Sequence, residues 1–432
     1  MTMQSVQDVS QRLPRSFHLL LAGQSLSLVG TQVTHLAIPL TAITLNHASP
    51  FETGVLLACS RTPYLLLGLF AGLLVDSYSH RLLLMTANII MALTLASVPL
   101  TYFVSGQVSM SHLYTVATLT GAAMVVADVS FLAWVPALVP YLQLTKAQSR
   151  LELGQSAVMV IGLPIAGWLI AATSPAVAIL ADSVSFLVMS ALLPFVATAS
   201  SHRRSNVTSL DDPQTGSALT RILKEAAEGM RFLLRTPPLR ASTFATVTLI
   251  FFYSAYSAVF ILYLSDQLKM TAAEIGIVTS VAAVGCVVGA LLARPTARVL
   301  GLGRTLVAAI LISAAGAMLC PLLPNVLIVG LSQCVMWIGI QTYNVHQVPI
   351  RYALAPAEIH GRVNASIRTL VWGLAPLGAV VGGTCGMWLG TRATLFITGV
   401  LIAAAALWIV LSPLWAVREP QLAALRNEPA RA

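Results

Sequence analysis

The chain has 432 residues, of which 57 % are hydrophobic and only 9 % are charged, and its mean hydropathy is +0.83. This composition excludes an ordinary soluble domain, because most of the side chains must have lipid as their solvent. The net charge of +9 does not indicate nucleic-acid binding, since the basic residues are spread along the loops between apolar runs instead of clustering in one soluble region.

Apolar runs long enough to cross a bilayer as helices recur along the whole sequence. Six lie in the first half, near residues 17–45, 52–75, 82–104, 111–139, 148–172 and 175–198. Six more lie in the second half, near residues 240–264, 274–296, 303–323, 325–351, 361–386 and 392–416. The first run is too long for the apolar region of a signal peptide, so we expect it to remain as a span. The sequence therefore predicts an all-α membrane protein with twelve transmembrane helices.

A polar segment separates the two groups of runs. Residues 199–216 are rich in Ser, Thr, Asp and Asn and predict a flexible linker. Apolar residues from Leu219 to Leu234 then recur at helical spacing opposite charged ones, which predicts an amphipathic helix along the membrane surface. We expect four regions: an N-terminal six-helix half (1–198), a cytoplasmic linker with an amphipathic helix (199–239), a C-terminal six-helix half (240–416) and a cytoplasmic tail (417–432).

The basic residues predict the orientation of the chain. With twelve spans, all but three of the 24 Lys and Arg residues lie on one side; Lys269 and Arg392 lie on the other, and Arg61 lies within a span. By the positive-inside rule we expect both termini in the cytoplasm. The five cysteines all fall in apolar runs and form no Cys-x-x-Cys pair, so neither a disulfide framework nor a metal site is indicated.

Parts of the first half are repeated in the second. The hairpin Gly72-Leu-Leu-Val-Asp76-Ser-Tyr-Ser-His-Arg81 is echoed by Gly289-Ala-Leu-Leu-Ala-Arg294-Pro-Thr-Ala-Arg298, again Gly-x-Leu-Leu followed by a basic turn. A duplication of six-span halves with such a hairpin between spans two and three resembles the major facilitator superfamily of secondary transporters. The resemblance implies that Gly72, Asp76, Arg81, Gly289 and Arg298 form a gating motif.

A narrower resemblance comes from the region of spans ten and eleven. The stretch Gly361-Arg-Val-Asn-Ala-Ser-Ile-Arg368-Thr-Leu-Val-Trp372-Gly-Leu-Ala-Pro376 is similar to the enterobactin-exporter and macrolide-efflux branch of the superfamily. The resemblance implies export of a drug, antibiotic or siderophore-like natural product. It also implies that spans one, four, seven and ten line the substrate path, that the proton-motive force supplies the energy, and that no cofactor is needed.

Polar and aromatic residues within three spans predict a wet, polyspecific cavity. The candidates are Gln24, Thr31, Gln32, Tyr253, Tyr256, Phe260, Tyr263, Gln333, Trp337, Gln341, Asn344 and Gln347, together with Arg61 near the middle of span two. The alternatives are hydrogen bonds between helices for the polar residues and simple helix packing for the aromatic stripe. Arg61 requires an acidic partner, which the sequence does not identify.

Ionisable residues inside spans are costly in lipid and are therefore functional candidates. They include Asp128, Asp182, Glu152 and Arg368. We expect Asp128, His35 or Asp182 to couple proton movement to transport. Each has an alternative: Asp128 as a fixed relay to the hairpin, Asp182 satisfied by Ser183 or Ser185, and His35 as a neutral imidazole bonded to a neighbouring helix.

Three functions remain open. The favoured one is a proton-coupled exporter of a hydrophobic small molecule that works by rocking of the two halves; the others are a proton-coupled importer and a non-transporting membrane sensor. The chain has no Walker motif, and we expect neither ATP hydrolysis nor other enzyme activity. The expected partners are a small-molecule substrate, protons and the lipid bilayer, with no nucleic acid. We expect a monomeric, multi-pass protein of a bacterial cell (inner) membrane.

Overall fold

The computed structural model describes residues 13–140, 143–196, 218–323, 325–356 and 359–417, and for residues 68–73, 76 and 218–226 it describes only the backbone. These ranges contain thirteen α-helices. The six in the first half are α1 (Arg15–Asn46), α2 (Pro50–Ser77), α3 (His80–Ser105), α4 (Met110–Leu138), α5 (Leu144–Ala172) and α6 (Pro175–Leu192). The others are α7 (Ala218–Arg235), α8 (Pro237–Leu262), α9 (Ala272–Leu300), α10 (Leu302–Leu322), α11 (Val326–Leu354), α12 (His360–Leu389) and α13 (Thr391–Val410).

Polar residues start several helices and glycines form tight turns. Complete capping boxes begin α2 and α9, where Ser49 pairs with Glu52 and Thr271 pairs with Glu274. Gly301 and Gly390 adopt positive φ angles in the short turns before α10 and α13, a conformation that a side chain would oppose. Short turns of this kind keep consecutive helices antiparallel.

Length and composition suit a membrane solvent. Eleven helices of the described residues, α1, α3–α6 and α8–α13, are long and apolar enough to cross a membrane. The protein is thus a multi-pass, all-α membrane protein. The remaining predicted span, α2, is a helix of 28 residues that packs against α4 and α12.

The same helix pairings occur in both groups of six. In the first group, α1 packs against α5 and α6, α2 against α4, and α3 against α4 and α6. In the second group, α8 packs against α12 and α13, α9 against α11, and α10 against α11 and α13. The groups meet mainly through α2 with α12 and through α5 with α9, two contacts that correspond to one another if α1 is matched to α8.

Several predicted boundaries were wrong in detail. The basic turn expected around Arg294–Arg298 is helical: α9 continues through Pro295 and ends at Leu300, because the turn is made by Gly301 with its positive φ. Residues Gly72–Asp76 likewise belong to α2, which ends at Ser77. The sixth span, expected to reach residue 198, ends at Leu192 and is followed by a 3₁₀ turn at Leu193–Phe195.

The amphipathic helix α7 docks on α12 at the end of the bundle where α1 begins. Gly229 allows this approach, since a Cβ at this position would lie 2.5 Å from the carbonyl oxygen of Arg362. The Arg362 guanidinium also forms a 2.7 Å ion pair with Glu228, and Leu233 is fully buried. The helix is therefore held by protein contacts in addition to any contact with a membrane surface.

Candidate functional site

Two adjoining chambers that share lining residues lie between the two groups of helices. The first, which we call the aromatic chamber, has a volume of about 580 Å³ and is lined by residues of α1, α5, α8, α9 and α11. Gln32 and His35 enter it from α1, and Tyr256 and Phe260 stack in its wall with ring centroids 5.3 Å apart. Gln333 donates a 3.3 Å hydrogen bond to the Tyr256 hydroxyl, which orients this ring.

The second, which we call the arginine chamber, has a volume of about 390 Å³ and is lined by residues of α2, α8, α11 and α12. It contains three arginines, Arg61 of α2, Arg351 of α11 and Arg368 of α12. Tyr253, Ser257 and Trp337 line both chambers. The rings of Tyr253 and Trp337 meet edge-on with centroids 6.0 Å apart, so this pair stands between the apolar and the charged compartment.

Glycines bring the two groups of helices together at one end of the cavity. We call the end where α1 begins the terminal end and the opposite one the distal end. At the distal end a Cβ on Gly54 of α2 would lie 2.6 Å from the carbonyl oxygen of Ala379 of α12, and one on Gly276 of α9 would lie 2.5 Å from that of Leu163 of α5. Gly383 and Gly167 are the facing glycines. Small residues permit such close backbone contact in lipid.

Most of the predicted cavity residues line these chambers. They are Gln32, Arg61, Tyr253, Tyr256, Phe260, Gln333, Trp337, Asn344 and Gln347. Gln24, Thr31, Gln341 and Tyr263 lie outside the described linings. Thr31 is buried and donates to the Ser27 carbonyl of its own helix, and Gln341 faces Gly289 of α9, because neighbouring helix positions point in different directions.

Sequence reasoning missed part of the cavity wall. The described lining contains no residue of α4, which packs against α2 and α3, whereas α5 supplies Gln155 and Met159. Span four contributes no residue to the described linings of these two chambers, and its place along the substrate path stays a prediction. Arg351 and Trp372 were missed as cavity residues, although a charge so near the end of an apolar run was a usable signal.

Arg61 has an aromatic neighbour instead of the expected acidic one. Its guanidinium carbon lies 5.7 Å from the centroid of the Trp372 ring. No described carboxylate forms an ion pair with it. A cation over an indole face is stabilised by the ring quadrupole, and this reduces the cost of holding the charge in the chamber.

The sequence matches the family model of the Major Facilitator Superfamily twice, over residues 20–261 and 243–431. The chain belongs to the major facilitator superfamily. This family and the fold identify a transporter and not an enzyme. No curated protein matches this member of the superfamily in sequence.

Solved structures share the fold of this superfamily member at low sequence identity. The nucleoside transporter NupG has a TM-score of 0.70 at 12 % identity, with 92 % of this chain and 99 % of that chain covered. A bacterial homologue of the iron transporter ferroportin in its inward-facing state has a TM-score of 0.69 at 15 % identity, covering 91 % and 98 %. A bacterial homologue of the human lysosomal transporter Spinster, inward-facing and occupied, has a TM-score of 0.70 at 13 % identity, covering 91 % and 95 %.

The three proton-coupling candidates of this superfamily member occupy different surroundings. His35 is exposed to the aromatic chamber. Asp128 on α4 accepts a 3.0 Å hydrogen bond from the Tyr64 hydroxyl of α2 and lies within electrostatic reach of Arg368. Asp182 is buried between α1 and α6, outside both chambers, and accepts hydrogen bonds from Thr34 and Ser185. Ser183, the other partner expected for Asp182, donates to the Ala92 carbonyl of α3.

The predicted gating residues are placed only in part. The side chains of Gly72 and Asp76 lie outside the described residues, so their role remains a prediction. Gly289 packs against the Ile338 carbonyl of α11 within the second group of helices, and Arg298 is exposed near the end of α9. The segment Gly289–Arg298, which repeats the hairpin sequence, therefore contacts its own half in the described state.

Proposed function

We propose that the protein is a secondary transporter that exports a hydrophobic small molecule by alternating access, driven by the proton gradient. The observation that carries the proposal is the two-chambered cavity between the halves together with the glycine contacts that join the halves at the distal end. A central site that is closed at one end is the arrangement expected of one state in a rocking cycle.

The expected orientation of the chain supports an inward-facing interpretation of this state. The described Lys and Arg residues are concentrated at the terminal end, which we therefore propose is cytoplasmic. The close approaches of Gly54, Gly167 and their partners then seal the external side. Arg368 and Asn344 are exposed in the arginine chamber toward the terminal end, as expected of an inward-facing transporter that loads its substrate from the cytoplasm.

Export is favoured over import by the chemistry of the cavity and by the resemblance to efflux proteins. Aromatic and methionine side chains line the first chamber, which suits hydrophobic molecules of varied shape. Such molecules enter from the cytoplasm or the inner leaflet. A cell gains from removing them by using the inward proton gradient.

Proton-driven flux in proteoliposomes tests this function. The purified protein would be reconstituted with hydrophobic fluorophores of negative, zero and positive charge, and uphill movement would be followed after imposing a pH gradient. We expect movement opposite to the proton flow, abolished by a protonophore and absent from protein-free vesicles. Movement in the same direction as the protons would establish the importer instead. Binding of a fluorophore without flux under any gradient would support the sensor.

A further inference from the structure

The arginine chamber carries an unbalanced charge. Arg61, Arg351 and Arg368 come from three different helices, and no Asp or Glu is among the described residues that line the chamber. Three like charges in a cavity surrounded by helices and lipid repel one another and are costly to desolvate. An arrangement of this kind is maintained at a cost in stability and requires a compensating partner.

The described side chains do not supply that compensation. None of the three arginines forms an ion pair with a described carboxylate. Arg61 lies over the Trp372 ring, and Arg351 donates a hydrogen bond to the neutral Gln347 of its own helix. Asp128 lies within electrostatic reach of Arg368 but bonds to Tyr64 and does not line the chamber.

The aromatic chamber indicates the chemistry of the part of the ligand that lies outside the arginine chamber. Trp337 and Tyr253 are shared walls, so a molecule with its charged group among the arginines can extend its body toward Tyr256 and Phe260. Guanidinium groups are planar forks that match carboxylate or phosphate oxygens, and aromatic walls favour flat apolar bodies. Together the two chambers fit a molecule that is anionic at one end and apolar at the other.

We propose that the substrate class of this transporter is amphipathic organic anions, whose carboxylate or similar anionic group binds Arg61, Arg351 and Arg368 while the apolar body occupies the aromatic chamber. The inference rests on the proposed transport function and specifies the substrate charge. An anionic lipid headgroup has the same chemistry. We assign the site to a solute because the arginine chamber adjoins the aromatic chamber inside the bundle, between the two halves, and shares Tyr253, Ser257 and Trp337 with it.

Three probes with the same ring and different charges test the inference. 9-Anthracenecarboxylate, 9-anthracenemethanol and 9-anthracenemethylammonium would be titrated against the purified full-length protein in neutral detergent, and binding would be followed by anthracene anisotropy. We expect the carboxylate to bind at least about tenfold more tightly than the alcohol, and the ammonium compound to bind most weakly. Equal binding of all three, or a preference for the cation, would overturn the proposal.

Substitutions of the chamber arginines test whether these side chains bind the carboxylate of the probe. Arg61→Gln and Arg351→Gln should each weaken carboxylate binding by about tenfold and leave the alcohol unaffected, whereas Arg351→Lys, which keeps the charge, should retain part of the preference. The matched control is Arg304→Gln, because Arg304 also lies over an indole ring, that of Trp415 at 5.8 Å, but outside both chambers. Unchanged preference in both chamber variants, with monodisperse protein, would exclude this site.

Two further measurements distinguish a solute from a lipid headgroup, and the anion inference from the transport function. Added phosphatidylglycerol should not displace 9-anthracenecarboxylate from the protein in phosphatidylcholine vesicles. If the lipid does displace the probe from the parent protein but not from Arg351→Gln, the chamber binds a lipid headgroup instead. In the flux assay, uphill transport of neutral or cationic fluorophores by a protein that does not prefer the anion would refute the anion inference and keep the transport function. A clear anion preference with no flux of any compound would refute the transport function alone.

Discussion

Asp182 shows how a costly intramembrane charge can be accommodated as part of the structure. It is 1 % exposed and accepts hydrogen bonds from Thr34 of α1 and from Ser185 of its own helix, at 3.1 Å for Ser185. Gly30 of α1 leaves the room for it, since a Cβ there would lie 2.6 Å from the Asp182 carboxylate. These contacts join α1 to α6 within one half, away from the cavity, and favour a structural role.

Replacing Asp182 by alanine tests that role. The variant would leave the Thr34 hydroxyl without its acceptor, whereas Ser185 would keep its 2.8 Å hydrogen bond to the carbonyl oxygen of residue 182. We expect a loss of roughly 1–3 kcal/mol of stability, seen as a lower thermal unfolding midpoint. Transport per folded molecule should be retained. Glu152→Ala is the control, because Glu152 is an exposed carboxylate bonded only to Gln148 of the same helix among described residues. Loss of pH-driven transport at unchanged stability would contradict the structural role and indicate that Asp182 takes part in proton coupling.

Asp128 is the carboxylate that we place in coupling. It is exposed beside Tyr64, where protonation is possible and where changing distances to arginines would alter its charge state during the cycle. We expect Asp128→Asn to abolish uphill export and to leave downhill exchange and stability largely intact. Tyr64→Phe, which removes only the hydrogen-bond donor, should keep uphill export. A parallel decrease of expression, stability and exchange in Asp128→Asn would identify a fixed relay instead.

At the scale of the helices, the glycine contacts between halves explain why the distal end is closed. Gly54 faces Gly383 across the α2–α12 contact, and Gly167 faces Gly276 across the α5–α9 contact. In lipid the hydrophobic effect does not drive helices together, so close backbone packing at small residues decides where they associate. The two contacts occupy corresponding positions in the two halves, which suits a hinge that opens symmetrically.

Gly383→Leu should prevent that closure. Its Cβ would lie 2.6 Å from the Pro50 carbonyl oxygen, a distance that backbone atoms cannot accommodate without moving α2 and α12 apart. We expect a shift to the state that is open at the distal end, measured as slower maleimide labelling of an Asn344→Cys reporter from the terminal side. Gly361→Leu on the same helix is the control, because no atom of the described residues lies within 4 Å of a Cβ there.

The interpretation of the Gly383 variant depends on folding. If Gly383→Leu is not monodisperse, Gly383→Ala provides the smaller perturbation at the same position. Labelling equal to that of the parent in a folded Gly383 variant would show that this contact does not hold the distal end closed.

For the molecule as a whole, rocking of the halves predicts opposite distance changes at the two ends. Spin labels on the exposed positions Gln148 and Arg298 report the terminal ends of α5 and α9, and labels on Thr173 and Gln267 report the distal end. We expect substrate or a proton gradient to shorten the first distance and to lengthen the second, measured by double electron–electron resonance. Equal changes at both ends, or none with a bound transported compound, would contradict a rocking mechanism.

Much of this organisation could be predicted from the order of the residues. Apolar runs located the helices to within a few residues in most cases, because a chain in lipid must satisfy its backbone hydrogen bonds within each segment and so must be helical there. The errors came from local backbone effects, such as the continuation of α9 through Pro295 to the turn at Gly301. Polar residues within spans also indicated where a cavity would lie, as Gln32 and Asn344 show.

Which groups the polar and charged residues of the spans contact is decided by helix packing alone. Thr31 and Gln32 are neighbours in sequence, yet one bonds to its own helix and the other enters the cavity, since helix rotation depends on the helices alongside. Arg61, Arg351 and Arg368 lie in three helices from both halves and come together only because α2 packs against α12. In lipid the helices are apolar on every side, and they associate where their surfaces fit closely. The hydrophobic periodicity of the sequence therefore does not show which helix faces will pack together.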